Sequence, residues 1–215
     1  MASPVLHYIY DPYCGWCYAA APLLAEAHTL PGLELVLHCG GMLTGPTRRQ
    51  VDRAWREYVL PHDQHIARLT GQRFGDGYFT GLLYDEGAVL DSAPPAAAVL
   101  AATTLGRGHD MLAAVQRAHF VDGQRVAAPG VLAEIACMLG LDPDAYAAAY
   151  EDMAGVPVIA HIAEARARLA AAGGQGFPCA VLAVTGRPER LLQLGPFLGR
   201  PEAWRDYLAA CAAQR

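Results

Sequence analysis

Val5-Leu6-His7-Tyr8-Ile9-Tyr10-Asp11-Pro12-Tyr13-Cys14-Gly15-Trp16-Cys17-Tyr18 decides how this chain is read. Val5 to Tyr10 is short and rich in β-branched and aromatic residues, which predicts a strand. Asp11-Pro12 breaks it. The segment Tyr18 to Leu30 is rich in alanine and leucine and predicts a helix, stopped by Pro31-Gly32. A Cys-x-x-Cys pair between a strand and a helix is the arrangement of a redox dithiol. The physical reason is thiol acidity. The first cysteine, Cys14, caps the helix, where unpaired backbone N–H groups and the macrodipole favour a thiolate. The second, Cys17, lies one turn on, close enough to close a disulfide.

The bland alternative is half of a zinc site. Structural zinc takes four ligands. The remaining cysteines, Cys39, Cys137, Cys179 and Cys211, are scattered, and no second Cys-x-x-Cys exists. The dithiol is therefore read as redox-active, with no metal.

Outward from the motif, Leu33 to Cys39 alternates in hydropathy and predicts a second strand, ended by Gly40-Gly41. The opening is β-α-β with a crossover suited to parallel pairing. Residues 45–172 differ, predicting about six helices and no strand. Thr47 precedes a stripe of Val51, Ala54, Trp55, Tyr58 and Val59. Ser92 with Pro94-Pro95, Asp110, the Val131 to Leu139 stripe, Asp142-Pro143 and Pro157 mark further helix starts or bodies, closed by Gly173-Gly174. Beyond that, Cys179 to Val184 and Arg190 to Leu194 predict a hairpin, and Pro201 to Cys211 a terminal helix. The fold class is α/β: a thioredoxin fold, β-α-β … β-β-α, carrying a large all-helical insertion. The expected domains are 1–44 with 173–215, and the inserted 45–172.

The bulk composition agrees. The 215 residues are 53% hydrophobic, enough for a substantial core without disulfide staples. The net charge is −5, and all 16 basic residues are arginine without a dense run, which argues against nucleic acid as a partner. No apolar stretch is long enough to span a membrane. Met1-Ala2-Ser3-Pro4 leads straight into the first strand without a charged or apolar leader. Cytoplasmic location is therefore expected, where a Cys-x-x-Cys pair is catalytic more often than structural.

A thioredoxin-type centre has a cis-proline loop facing the dithiol. The candidate is Gly176-Phe177-Pro178, just before the third strand, which would expose the Phe177 backbone to pair with a peptide substrate. With these residues in place the chain resembles the DsbA family of thiol–disulfide oxidoreductases, and within it the bacterial protein-disulfide-isomerase branch that is FrnE-like. Tyr10 to Tyr18 and Gly173 to Pro178 carry the resemblance, with Met42 to Gly45, Pro61-His62-Asp63, Leu69 to Gln72 and Arg117 to Phe120 pointing to the branch. It covers nearly the whole chain.

The resemblance implies a protein-disulfide oxidoreductase or isomerase. Cys14 would attack, exposed at the helix start, and Cys17 would resolve the mixed disulfide. Gly15 and Trp16 would adjust the thiolate's surroundings, and Phe177 and Pro178 would orient substrate. No cofactor beyond the Cys14–Cys17 disulfide is required. Protein or peptide thiols and disulfides are the expected partners, with glutathione or a thioredoxin-type reductant as donor. Two departures stand out. Cys179 replaces the threonine usual after the cis-proline, as a candidate accessory thiol or a small buried strand residue. The strand before the motif offers His7 and Tyr8 where relatives place a buried acid. His62, Asp63 and His65 read as a solvated or packing helix start, and His119 and His161 as hydrogen-bonded core or cleft residues. Tyr78, Phe79, Tyr84 and Trp55 read as core aromatics, with a groove near the motif as the alternative.

Three other functions compete: a kappa-class glutathione transferase or 2-hydroxychromene-2-carboxylate isomerase, which typically carries serine at the first cysteine; a non-catalytic peptide-binding module; and a redox sensor.

Overall fold

The computed structural model describes residues 3–213. Met1 and Ala2, where the N-terminal reading begins, lie outside the described residues, as do Gln214 and Arg215. Strand β1 (Val5–Tyr10) is followed by helices α1 (Gly15–Ala19) and α2 (Ala21–Thr29), then strand β2 (Glu34–Cys39). The single helix expected from Tyr18 to Leu30 is thus two, and it begins earlier, inside the motif. Pro22 lies in the first turn of α2 and has no N–H to continue the ladder, so the chain steps at Ala20.

A two-residue ladder, β3 (Arg49–Gln50) with β4 (Val89–Leu90), breaks the expectation of a strand-free middle. Two residues are too few to leave a periodic signal. Helix α3 (Arg53–Thr70) starts later than the Thr47 stripe predicts. Thr47 sits in a single 3₁₀ turn, and Asp52 caps α3 by accepting from the Trp55 N–H at 2.6 Å. Pro61 lies inside α3, so His62, Asp63 and His65 are mid-helix rather than a helix start. Helices α4 (Ala93–Thr104), α5 (Gly108–Phe120), α6 (Pro129–Met138), α7 (Pro143–Met153) and α8 (Val156–Ala171) follow. Ser92 precedes α4 as expected, but its hydroxyl accepts from the Leu43 N–H at 3.0 Å rather than capping the helix. The chain closes with the hairpin β5 (Cys179–Ala183) and β6 (Arg190–Leu192), then α9 (Pro201–Ala213).

The main sheet has the order β2-β1-β5-β6. β1 pairs parallel with β2, from Val5 opposite Glu34 to Tyr10 opposite Cys39, and antiparallel with β5, where Ile9 faces Cys179. The thioredoxin order of elements is therefore present, with six α-helices between the two halves. On one face of the sheet Leu6, Tyr8 and Ala180 pack with Leu23, Leu24 and Trp204 of α2 and α9. On the other, Ile9, Cys179 and Val181 pack with Ala165 of α8. Each fully buried apolar side chain of this kind contributes about 1.5–3 kcal/mol. The larger cluster runs without interruption from Leu6 and Tyr8 into Ala97, Leu112 and Leu132 of the helical segment. The sheet and the helices therefore fix the motif between them.

Candidate active site

Cys14 occupies the N-cap of α1 with extended backbone, and its sulfur accepts the Cys17 N–H at 3.3 Å. The Cys14 N–H in turn donates to the Asp11 carbonyl at 3.2 Å. This is local geometry: the chain leaves β1 and turns at Asp11-Pro12, and the first free amides of α1 point at the thiol. Both cysteines are free thiols. Cys17 is 1% exposed. Burial pushes its thiol well above the ordinary range, reinforced by its hydrogen bond to Cys14 and the charge Cys14 would carry. Tyr8, from the strand beneath, donates its hydroxyl to the Cys17 carbonyl at 3.3 Å.

Cys14 is itself only 7% exposed, which corrects the expectation of an exposed thiol. The covering loop is the reason. The Phe177–Pro178 peptide bond is cis, and the Cys14 thiol donates to the Phe177 carbonyl at 3.6 Å. The tip of the Phe177 ring lies against Gly40, where a Cβ would overlap ring carbons. Beside this loop a cleft of about 310 Å³ opens between Trp16, Gln175, Pro178, Gln193 and Leu194.

Two buried carboxylates flank the motif. Asp11 accepts from the Tyr13 N–H at 2.9 Å and the Met42 N–H at 2.6 Å, tying the turn to the loop after β2. Burial raises its pKa, partly offset by those bonds and by the Arg166 charge. Asp63, from α3, accepts the Tyr78 hydroxyl at 2.7 Å. Burial pushes its carboxyl up to about 6. Its other oxygen faces Gly15, where a Cβ would overlap it and would also meet Ile66 Cδ1 at 3.1 Å. Glycine between the cysteines lets α3 approach the helix start this closely. Gly15→Ala gains about 1 kcal/mol of helix propensity but overpacks a closed contact at about 1–3 kcal/mol. A net loss of up to about 2 kcal/mol is expected, read as a lower denaturant midpoint with unchanged slope.

Residues 5–192 match the description DSBA-like thioredoxin domain. The chain belongs to that family. Two structures similar to this DSBA-like protein come from Pseudomonas aeruginosa. One is the cytosolic disulfide reductase DsbM, with 49% identity over 96% of this chain and 98% of that one, and a TM-score of 0.91. The other is DsbM with GSH, with 47% identity over the same shares and a TM-score of 0.89. DsbA of the same organism, at 16% identity over 98% of this chain and 86% of that one with a TM-score of 0.52, shares the fold. No match was found among curated proteins. The DSBA-like protein is a thiol–disulfide oxidoreductase.

The structure brings together Cys14, Gly15, Trp16, Cys17, Phe177 and Pro178. Cys179 packs toward α8 with Ile9 and Val181, in a cluster that Phe177 also joins, and it lines the cleft with Trp16 and Pro178; burial raises its thiol pKa. His62 and His65 are exposed while Asp63 between them is buried. Among the described residues no group of His, Cys, Asp and Glu is placed to hold a metal ion. His161 accepts the Cys39 N–H at 3.0 Å, whereas buried His119 packs on Tyr13 and Tyr78 with Nδ1 unpartnered, against the expectation of a hydrogen bond. Burial holds the His119 imidazole at about 3. Tyr78 is buried beside the motif through Asp63, while Tyr84 is exposed. The site contribution missed from sequence is Asp63. Val59, Asp63 and Ile66 are the buried positions of α3, spaced i, i+4, i+7, so an acid on an apolar stripe was the available signal. Reading Pro61 as a helix start hid it.

Proposed function

We propose that this protein is a cytosolic disulfide reductase, with Cys14 as nucleophile, Cys17 as resolving thiol and a glutathione-type thiol as electron donor. The observation that carries the reading is the inequality of the two sulfurs. The Cys14 sulfur receives an α1 amide and lies beside a cleft, whereas the Cys17 thiol is sealed in the core with its pKa raised. The names of the two DsbM structures, a cytosolic disulfide reductase and its form with GSH, support the compartment and the donor.

The Cys14 thiolate attacks one sulfur of a substrate disulfide, and the other leaves as a thiolate that takes up a proton. Cys17 then gives up its proton and attacks the Cys14 sulfur, releasing the second substrate thiol and leaving the Cys14–Cys17 disulfide. Two glutathione-type thiols return the pair to the dithiol and leave as their own disulfide, so two electrons pass through. The Phe177 carbonyl, next to Cys14, and the cleft lined by Gln175 and Gln193 offer backbone and amide groups to hold the peptide around the reacting sulfur.

The test is the reduction potential of the Cys14–Cys17 pair in glutathione buffers. A potential at or below the cytosolic glutathione poise, about −220 to −260 mV, is expected. A value near about −120 mV, that of a strong oxidant, overturns the reductase reading.

A further inference from the structure

β2 forms one edge of the main sheet, and its pairing register leaves part of its backbone free. The Glu34 N–H donates to the Pro4 carbonyl and the Gly40 N–H to the Tyr10 carbonyl. In a parallel ladder, therefore, Glu34, Val36 and His38 turn their backbone groups toward β1, as Gly40 does its N–H, and Leu35, Leu37 and Cys39 turn theirs outward. The Cys39 N–H is met by His161 at 3.0 Å. The N–H and C=O groups of Leu35 and Leu37 have no hydrogen-bond partner among the described residues. Leu35 and Leu37 line a cavity of about 520 Å³ together with His28 of α2, the α4–α5 turn, and His161 and Glu164 of α8.

The backbone groups of Leu35 and Leu37 are half-buried donors and acceptors that no described residue of the chain engages, and an added strand would engage them. Donors and acceptors alternate with a two-residue repeat of about 6.6 Å, which a polypeptide strand matches. The charge around the cavity is one-sided. Glu34, Glu164 and Asp110 line it, and Arg107, its one arginine, is paired with Asp110. The imidazoles of His38, His109 and His161 are held below their ordinary pKa, chiefly by burial, and do not offset the carboxylates near neutral pH. The other end of the strand is closed, because Arg166 of α8 donates to the Gly40 and Gly41 carbonyls. This cavity is therefore separate from the cleft beside Cys14.

We infer that the β2 edge is a docking site for an extended, basic polypeptide segment, which adds a strand at Leu35 and Leu37 and places its cations against Glu34 and Glu164. The site holds a partner or substrate chain on the molecule without using the thiols.

The test uses ¹⁵N-labelled full-length protein, reduced, titrated with a blocked hexapeptide alternating arginine and valine. The amide signals of Leu35 and Leu37 are expected to shift and their hydrogen exchange to slow at least about tenfold, while a peptide alternating glutamate and valine does neither. Leu37→Pro removes an outward N–H and keeps the β1 ladder, so it should weaken binding at least about tenfold. The double variant Glu34→Lys, Glu164→Lys, which leaves the backbone intact, should do the same, and thiol–disulfide exchange should be unchanged in both. Absence of shifts, shifts confined to Phe177–Cys179, or equal binding of the acidic peptide overturns the proposal. Concentration-dependent shifts at Leu35 and Leu37 without peptide also overturn it, by showing a second copy of this chain on the edge.

Discussion

Cys14→Ser is expected to lower the rate of thiol–disulfide exchange at least about a thousandfold, the scale on which loss of a nucleophile is felt. A serine hydroxyl in the same N-cap would still accept the Cys17 N–H, so the fold should survive. It cannot form the sulfur–sulfur bond on which exchange depends. Cys17 cannot substitute, because it is 1% exposed and its thiol is driven toward the protonated form. Cys17→Ser should behave in the opposite way. The first attack proceeds, nothing resolves it, and the protein accumulates one covalent adduct on Cys14. Incubation with oxidised glutathione followed by intact-protein mass spectrometry reads this directly. Exchange retained by Cys14→Ser, or an unmodified Cys17→Ser protein, would remove Cys14 from the role assigned to it.

Asp63→Asn should stabilise the protein at pH 8 by about 3 kcal/mol and leave it unchanged at pH 4. Burial holds the folded-state carboxyl at about 6, above its ordinary 3.8. Between those values the folded chain binds more protons than the unfolded chain. Stability therefore falls as pH rises from about 4 to about 6, and the loss is complete above that window. Asparagine removes the charge and keeps an oxygen for the Tyr78 hydroxyl, which donates to Asp63 at 2.7 Å. Denaturant unfolding of both proteins at the two pH values gives the difference. A gap of the same size at pH 4 would mean that the change acts through packing and not through ionisation.

The segments that build the redox half were legible because their signals are local. Val5–Tyr10 and Glu34–Cys39 stand in composition and alternation, and Cys14 and Cys17 carry their spacing in four consecutive letters. The hairpin after Pro178 was legible for the same reason. What escaped depends on contacts distant in sequence. The Arg49–Gln50 ladder exists only because Val89–Leu90 is brought beside it. Ser92 has the chemistry of a helix cap, yet Leu43 claims its hydroxyl. The burial of Cys14 comes from Phe177, a residue the sequence did identify, acting in a way that only packing reveals. Asp63 needed both an unbroken α3 and the knowledge that its buried stripe lies on Gly15.

That last contact bears on how this protein can be altered. The two residues between the cysteines are the obvious letters to exchange when a dithiol is to be made more oxidising or more reducing. Here the first of them has no room of its own, since α3 has taken it. A dipeptide transplanted from another oxidoreductase would report the displacement of Asp63 and Ile66 as much as its own chemistry. Redesign of this motif is therefore a three-position problem, with Gly15, Asp63 and Ile66 varied as a set.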